Sequence, residues 1–361
     1  MSLTLRSALT ALVFCFGASP TLAHAQAIGG KAAVPAPAKP AAPSHKVHHG
    51  VQVMGTVVDI TFWTNDDDGA AIAAKAAFEE FKRVDSLMSS WLPESAVAKI
   101  NSSAGSKEVV VAQEVMDLIV RAQDAGKVSG GAFDVSVGAF RGLWKFDQDV
   151  DGSIPSEKDV RKRAKLVNYR KIRLNKKRRG VRLQRKGMRI TLGGVAKGYA
   201  VDQAVAILRK AGFSNFILQA GGDLYASGQP GARSWRVGIR DPRGARSASF
   251  AVAEVKNRTF STSGDYERSI LVKGARYHHI LDPATGNPAD RSRSVTVLAD
   301  DALTADIWST ALFVMGPVAG MKIVESREDM DAVFVGKDNK VHISSGLTGK
   351  VKILKPPTPG I

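Results

Sequence analysis

Helical and strand patterns follow one another along residues 51–344 without strict alternation, and this order constrains the fold more than any other feature of the sequence. Apolar residues at helical spacing predict helices at about residues 70–89, 97–101, 112–129, 195–211, 302–314 and 321–326. Short apolar or alternating runs predict strands at 51–62, 216–220, 235–239, 249–255, 270–272, 294–298, 332–335 and 341–344. Because a parallel α/β fold requires regular alternation, the sequence predicts an α+β fold in which mixed sheets are flanked by helices.

The first 25 residues have the pattern of a secretory signal. Arg6 provides the positive charge, Ala8–Phe16 the apolar core, and the small residues of Ala23–Ala27 a cleavage site. Cys15 is the one cysteine of the chain and lies inside this segment. The cleaved protein would therefore contain no disulfide, no thiolate metal site and no cysteine nucleophile. Export from a bacterial cytoplasm would place it in the periplasm.

Two further segments flank the predicted folded region. Residues 26–50 are rich in Ala, Pro, Lys and His, which predicts a flexible linker that supplies no core. The Pro-containing end of the chain, residues 347–361, is predicted to be a tail. A single folded domain is therefore expected over residues 51–346, a length that is sufficient to bury a hydrophobic core.

The formal net charge of +17 is concentrated in one stretch. Residues 161–189 contain fifteen Lys or Arg and no acidic residue, whereas the rest of the chain holds 36 basic and 34 acidic residues. Apolar residues recur at strand spacing within the stretch, which predicts amphipathic strands with a turn at Asn175–Gly180. A solvated face is the favoured interpretation, and weak attraction to anionic lipid or to an acidic partner is the alternative. Aromatic residues do not interleave with the cations as a base-stacking platform, so no nucleic-acid partner is predicted.

Two motifs are suited to holding a phosphoanhydride and a cation. Gly193-Gly194 precede a predicted helix whose N-terminal amides can face an anion, and Lys197 lies one turn into that helix. Asp306 and Thr310 are four residues apart on another predicted helix, so a carboxylate and a hydroxyl share one face as part of a magnesium shell. The structural alternatives are a glycine turn for the first motif and a helix cap or buried hydrogen bond for the second.

A third motif, Tyr277–Gly286, contains two adjacent histidines, His278 and His279. A histidine at this predicted strand end can act as a general base near neutral pH or be an ordinary packed residue. Trp91, in a predicted loop, is either a core residue or a stacking surface for a flat ring.

The order of these motifs resembles that of the FAD:protein FMN transferase family, often called ApbE. The resemblance covers about residues 51–345. The matching segments are Met54–Thr56, Met88–Trp91 with Glu94, Ser95 and Asn101, Gly131–Gly138, Leu192–Tyr199 with Asp202, Gly221–Asp223, Ser263–Tyr266, His278–Gly286, and Ala305–Asp306 with Thr310–Ala311. The resemblance implies an ApbE-like α+β fold with the FAD site in a central cleft.

The resemblance also implies an activity and a set of residue roles. The family cleaves FAD with magnesium, transfers FMN to a Ser or Thr of a target protein and releases AMP. Contact with FAD is implied for Met54, Trp91, Ala132, Phe133, Asp134, Thr191, Lys197 and Ile280. Magnesium binding is implied for Gly194 through its carbonyl, Asp306 and Thr310, with Ser309 near the ion. His279 is implied as the base that activates the acceptor hydroxyl.

The expected function is therefore magnesium-dependent transfer of FMN from FAD to a periplasmic or membrane-bound redox protein. One alternative is an FAD pyrophosphatase, in which water replaces the acceptor hydroxyl. The other is a periplasmic protein that binds flavin without turnover, and the presence of Asp306, Thr310 and His279 argues against it.

Overall fold

The computed structural model describes residues 43–146 and 149–360, so the predicted signal and most of the predicted linker lie outside the described residues. The helices are α1 (Asp67–Met88), α2 (Ala96–Ser102), α3 (Gln113–Val128), α4 (Glu157–Ala164), α5 (Ala196–Lys210) and α6 (Ala302–Glu325), and short 3₁₀ helices cover Val135–Phe140, Tyr169–Lys171 and Ser345–Leu347. The strands are β1 (His45–Val53), β2 (Thr56–Thr64), β3 (Val109–Val110), β4 (Ile172–Asn175), β5 (Gly180–Leu183), β6 (Phe216–Ala220), β7 (Asp223–Ser227), β8 (Trp235–Arg240), β9 (Ser249–Val255), β10 (Arg258–Gly264), β11 (Ser269–Val272), β12 (Ala275–His278), β13 (Ser292–Ala299), β14 (Met330–Gly336), β15 (Val341–Ile343) and β16 (Val351–Ile353).

An eight-stranded sheet forms the centre of the fold, with the strand order β1-β2-β6-β7-β10-β13-β14-β15. Every neighbouring pair in it is antiparallel. Helices α1, α5 and α6 pack on one face around large side chains such as Phe62, Phe216 and Phe313. The other face packs against a three-stranded sheet, β16-β9-β8, through side chains such as Phe250 and Phe260. This layered arrangement confirms the predicted α+β class.

Two smaller sheets complete the fold. The sheet β3-β5-β4 carries the basic stretch, and its β4–β5 turn confirms the turn predicted at Asn175–Gly180. The ribbon β11-β12 ends immediately before His279. It lies beside a small cluster in which Trp144 stacks on Tyr277 at 5.8 Å between ring centroids.

The start of the domain differs from the prediction. β1 begins at His45, so residues 45–50 belong to a strand and not to the predicted linker. The single strand predicted at 51–62 is interrupted by a two-residue turn, in which Met54 and Gly55 have φ of 53° and 69°. A two-residue hairpin turn of type I′ requires positive φ at both central residues, and Met rarely adopts positive φ, so little in the sequence indicates this turn.

The end of the domain also differs, because residues 347–361 contain part of the fold and not only a tail. Leu347 is buried, and β16 pairs with β9. Thr358 donates its backbone N–H and its hydroxyl to Asp241, at 3.0 and 2.6 Å. The sequence does not predict these contacts because the paired residues are far apart in the chain. Strand β16 is also too short, at three residues, to show a strand pattern.

Helix α6 joins the two helices predicted at 302–314 and 321–326. Its path breaks at Gly316, where φ is 77°, and Pro317 occupies the first position of the second part, which suits a helix start. By length and composition α6 could cross a membrane, but 56% of its apolar window is buried inside the fold. It is a core helix packed on β10, β13 and β14.

Gly198 lies where α5 crosses the start of α6, and a side chain there would collide with backbone. A Cβ at this position would be 2.4 Å from the Ala302 carbonyl oxygen and 2.8 Å from Asp306 Cβ. We expect Gly198→Ala to lower the free energy of unfolding by about 1–3 kcal/mol, as overpacking does, measured by chemical denaturation. The control is Gly193→Ala, whose Cβ would come no closer than 3.6 Å to Thr191 Oγ1. Equal destabilisation by the two substitutions would contradict the packing argument.

Candidate active site

A cleft of about 1720 Å³ is lined by the β1–β2 turn, the loop after α1, the 3₁₀ helix Val135–Phe140, the start of α5, the first turns of α6 and the segment after β12. Twelve of the thirteen residues predicted for the site line it: Met54, Trp91, Ala132, Phe133, Asp134, Thr191, Gly194, Lys197, His279, Ile280, Asp306 and Thr310. The other residue, Ser309, is buried next to Thr310 on α6. The tertiary structure therefore gathers the three sequence motifs into one place.

Two carboxylates and one ammonium form the buried centre of this cleft. Lys197 Nζ is ion-paired with Asp223 and lies 3.5 Å from Asp306 Oδ1. Burial would lower the pKa of Lys197, but the two carboxylates outweigh burial and hold it above its usual value. Burial and the charge of Asp223 raise the pKa of Asp306 to about 7, against the effect of Lys197. When Asp306 is ionised, Lys197 alone does not balance the charge of the two carboxylates, so a bound cation would favour the ionised form of Asp306.

Hydroxyl groups surround the carboxylate pair. Ser263 Oγ lies 2.9 Å from Ser309 Oγ and 3.3 Å from Thr310 Oγ1. Ser261 Oγ lies 3.3 Å from Ser309 Oγ and donates a hydrogen bond to Asp223. Strand β10 therefore presents two serines to the polar face of α6.

Contacts between α5 and α6 set the positions of these groups. Asp202 of α5 accepts the N–H groups of Ala302 and Leu303 at 2.7 and 2.9 Å, which satisfies free amides at the start of α6. The Gly198 N–H, near the start of α5, donates to Asp306 Oδ2 at 3.0 Å. A Cβ on Gly194 would lie 3.4 Å from Thr310 Oγ1, so the glycine turn also reaches the polar face of α6.

The donor set of this region consists of carboxylate, hydroxyl and carbonyl oxygens, which a hard cation such as magnesium prefers. Within residues 43–146 and 149–360 there is no cluster of three or more His, Cys, Asp or Glu that would form a complete metal cage. Magnesium usually completes its shell with water and substrate phosphates, so a partial protein shell fits it.

His278 is a structural residue of the core. Its ring meets Phe313 edge-on, with 5.5 Å between ring centroids. The Ile280 N–H donates to His278 Nδ1 at 3.3 Å, so Nε2 carries the proton and donates to the Ala289 carbonyl at 2.9 Å. Both ring nitrogens are therefore occupied by local hydrogen bonds.

His279 faces the cleft and has a different environment. Its backbone N–H donates to the Arg268 carbonyl at 3.1 Å, which continues the β11–β12 ladder by one pair. Its Nδ1 is buried and has no hydrogen-bond partner among the described residues. Burial and the charge of Arg268 hold the pKa of His279 well below 6.5. The imidazole is therefore neutral at pH 7 and able to accept a proton.

At the other side of the cleft, Trp91 is 48% exposed and the Arg141 guanidinium lies 3.8 Å from its ring centroid. The Asp134 carboxylate accepts the N–H and the hydroxyl of Ser136 at 2.8 and 2.6 Å, and the N–H of Tyr169 at 2.7 Å. Burial raises the pKa of Asp134 despite these bonds. Asp134 thus shapes its loop, while Trp91 offers a ring for stacking.

Several residues of the site received no role from the sequence. Asp223 and Ser263 lie in segments that carry the family resemblance, but only their contacts with Lys197 and Ser309 show what they do. The Asn101 side chain accepts a hydrogen bond from the Ile190 N–H at 2.7 Å and donates one to the Ile190 carbonyl at 2.9 Å. It therefore fixes the backbone immediately before Thr191.

The fold and this cleft together define an α+β enzyme that combines a buried carboxylate–ammonium centre with a neutral histidine and a binding cleft for a large ligand. The chain belongs to the ApbE family, whose sequence profile matches residues 54–334. It is 33% identical over 294 residues to an FAD:protein FMN transferase of Klebsiella pneumoniae, covering 81% of this chain and 90% of that protein. It is 31% identical over 321 residues to an FAD:protein FMN transferase of Treponema pallidum, covering 84% of this chain and 88% of that protein.

Solved structures show the same relationship. The ApbE protein of Thermotoga maritima superposes with a TM-score of 0.78 at 33% identity, covering 85% of this chain and 99% of that chain. The flavin transferase ApbE of Vibrio cholerae superposes with a TM-score of 0.76 at 25% identity, covering 85% of this chain and 100% of that chain. The family resemblance predicted from the motifs is confirmed.

Proposed function

We propose that this protein is a magnesium-dependent FAD:protein FMN transferase that modifies a Ser or Thr hydroxyl of an acceptor protein and releases AMP. Membership of the ApbE family and the names of its relatives support flavin transfer. The observation that carries the proposal is the neutral, cleft-facing His279 in the same cleft as the Lys197–Asp223–Asp306 centre. A protein that only stored flavin would need neither feature.

In the proposed reaction the acceptor oxygen attacks the phosphorus of the FMN portion, and the bond from that phosphorus to the AMP oxygen breaks. His279 takes the hydroxyl proton, because a Ser or Thr hydroxyl is a poor nucleophile without a positioned base. The buried Nδ1 of His279 leaves Nε2 as the nitrogen that can meet the hydroxyl. The FMN portion ends on the acceptor oxygen and AMP leaves with its phosphate.

The remaining residues bind and orient. Lys197 stays protonated beside Asp223 and Asp306 and places a positive charge where the phosphates would lie. Trp91 offers a π face to one of the flat rings of FAD. Asp306, Ser309, Thr310 and the Gly194 carbonyl would hold magnesium, which when bound neutralises the pyrophosphate and stabilises the departing phosphate oxygen.

The low pKa of His279 predicts an unusual pH profile. Because burial and Arg268 hold this pKa well below 6.5, the base stays unprotonated through neutral pH and is lost only when the pH falls through the lowered pKa. At saturating magnesium, which would hold Asp306 ionised despite its raised pKa, we expect kcat/KM for FMN transfer to be nearly constant from about pH 6.5 to 8, since the ordinary histidine value is about 6.5. Initial rates in buffers of constant ionic strength measure the profile. A tenfold fall between pH 7.5 and 6 would contradict it.

The location and the acceptor complete the proposal. The signal pattern of residues 1–25 supports export to the periplasm, where the acceptor would be a periplasmic or membrane-bound redox protein. Fractionation of cells followed by immunoblotting tests this location. Recovery of the mature chain in the cytoplasm would contradict it.

The activity is tested by incubating the protein with FAD and magnesium, with and without a candidate acceptor domain. Chromatography follows AMP, and intact mass follows flavin on the acceptor. AMP together with a flavin-modified acceptor is the expected result. AMP with free FMN alone would instead identify an FAD pyrophosphatase, and bound FAD without AMP would identify a flavin-binding protein.

A further inference from the structure

The basic stretch of residues 161–189 forms one continuous surface, here called the basic face. Arg185 donates a hydrogen bond to the Lys165 carbonyl at 3.2 Å, so the loop after β5 touches the end of α4. The Gln184 N–H donates to the Lys171 carbonyl at 3.1 Å, which joins this loop to the start of β4. Twelve of the fifteen cations in the stretch are exposed. These contacts bring cations that are distant in the sequence close together in the fold.

Few of these charges are neutralised by the protein itself. Arg161 pairs with Glu157 at 2.9 Å and Arg178 with Glu108 at 3.7 Å. Both pairs involve exposed cations, and exposed ion pairs contribute little to the stability of a fold because water screens them. None of the other ten exposed cations forms an ion pair with a carboxylate within residues 43–146 and 149–360, although the charge of Arg170 acts on Asp134. The basic face therefore carries a large uncompensated positive charge.

The β4–β5 hairpin fixes these charges in place. Arg173 lies directly opposite Arg182 across the strand pair, and both are exposed. Val181 and Leu183 are buried on the other face of the hairpin, so a shift of register could not turn the arginines inward without exposing the core. Like charges directly opposite one another destabilise a strand pair. The turn at residues 176–179 adds four consecutive cations. An anionic partner would relieve this repulsion.

We propose that the basic face binds the surface of an anionic phospholipid membrane. Clusters of four to eight Lys or Arg are enough for such binding, and each residue strengthens it about fivefold. The proposal concerns this surface alone and does not depend on the flavin chemistry.

The chemistry of the basic face favours a membrane over a macromolecular partner. Protein interfaces have apolar and aromatic centres that are poor in Lys, whereas no large apolar side chain within residues 161–189 is exposed. Tyr169 of the stretch is buried, so it offers no ring on which nucleic-acid bases could stack. Binding to an anionic lipid surface requires only a high density of positive charge on the protein.

Co-sedimentation of the purified protein with vesicles tests the proposal. We expect binding to vesicles of phosphatidylglycerol and phosphatidylcholine at low salt, no binding to phosphatidylcholine alone, and release at about 0.5 M salt, where charges are screened within a few ångströms. The combined variant Lys176→Gln, Lys177→Gln and Arg182→Gln should bind at least about tenfold more weakly. Its melting temperature should be unchanged or higher, because the Arg173–Arg182 repulsion is gone.

The matched control removes the same charge elsewhere. Lys75, Lys127 and Lys210 are exposed residues of α1, α3 and α5, and their combined change to Gln should weaken binding less than about twofold. Failure of the wild-type protein to co-sediment with phosphatidylglycerol-containing vesicles at low salt would overturn the proposal. A control variant that loses as much affinity as the hairpin variant would also overturn it, since binding would then follow net charge and not this surface.

Discussion

His279→Ala is expected to lower kcat for FMN transfer by about 10²–10⁴-fold while FAD stays bound, because a positioned base contributes a factor of this size. His279 is the neutral imidazole that faces the cleft, and its Nδ1 makes no hydrogen bond among the described residues. Its removal therefore takes away proton transfer without breaking a hydrogen bond of Nδ1. Flavin incorporation into the acceptor, followed by intact mass, measures kcat, and flavin fluorescence measures FAD binding.

The neighbouring histidine supplies the control for this experiment. His278 holds Ala289 and Ile280 by hydrogen bonds in the core, so His278→Asn should lower the melting temperature while the folded enzyme keeps most of its kcat. The opposite pattern would contradict the assignment: His279→Ala with wild-type turnover, or His278→Asn with folded but inactive protein.

Asp306→Asn is expected to lower kcat by about 10²–10³-fold and to weaken the response to magnesium. Removing one preorganised group that stabilises charge has an effect of this size. Asn retains an oxygen for the Gly198 N–H, so the fold should persist. Rates at saturating FAD over a range of magnesium concentrations measure the change, and circular dichroism confirms folding.

Asp301→Asn is the matched control on the same helix. Asp301 caps α6 by accepting the Thr304 N–H at 2.8 Å, and Asn caps helices as well as Asp does. This variant should keep wild-type kcat and magnesium response. If Asp306→Asn responded to magnesium as the wild type does, Asp306 would not belong to the metal site.

The sequence analysis predicted most helices because their apolar periodicity extends over several turns, as in α1 and α3. It was wrong where the deciding feature was local or tertiary. The turn at Met54-Gly55 depends on two positive φ angles, and Met54 gives no sign of one. Strand β7 was not predicted, although all five of its residues are buried, because its pattern has neither alternation nor length.

The candidate site was predictable to the level of residue types and not to the level of contacts. The four-residue spacing of Asp306 and Thr310 predicts that both lie on one helix face, and both line the cleft. The sequence predicted Lys197 as a contact for FAD, which stays a prediction, and it gave no indication that Lys197 pairs with Asp223 and Asp306. Lys197 is on α5, Asp223 on β7 and Asp306 on α6, and these elements are distant in the sequence. No spacing pattern within one element could therefore predict the pairing.

By itself, the sequence determined the family, the α+β class and the motifs that supply the chemical groups, because each depends on residues close together in the chain. The tertiary structure decided which of two adjacent histidines faces the cleft, since burial against Phe313 removes His278 from it. It also decided the charge of the centre, because Lys197, Asp223 and Asp306 meet only when α5, β7 and α6 pack together. Electrostatic interactions and burial depend on distance in space, and a linear pattern does not contain that distance.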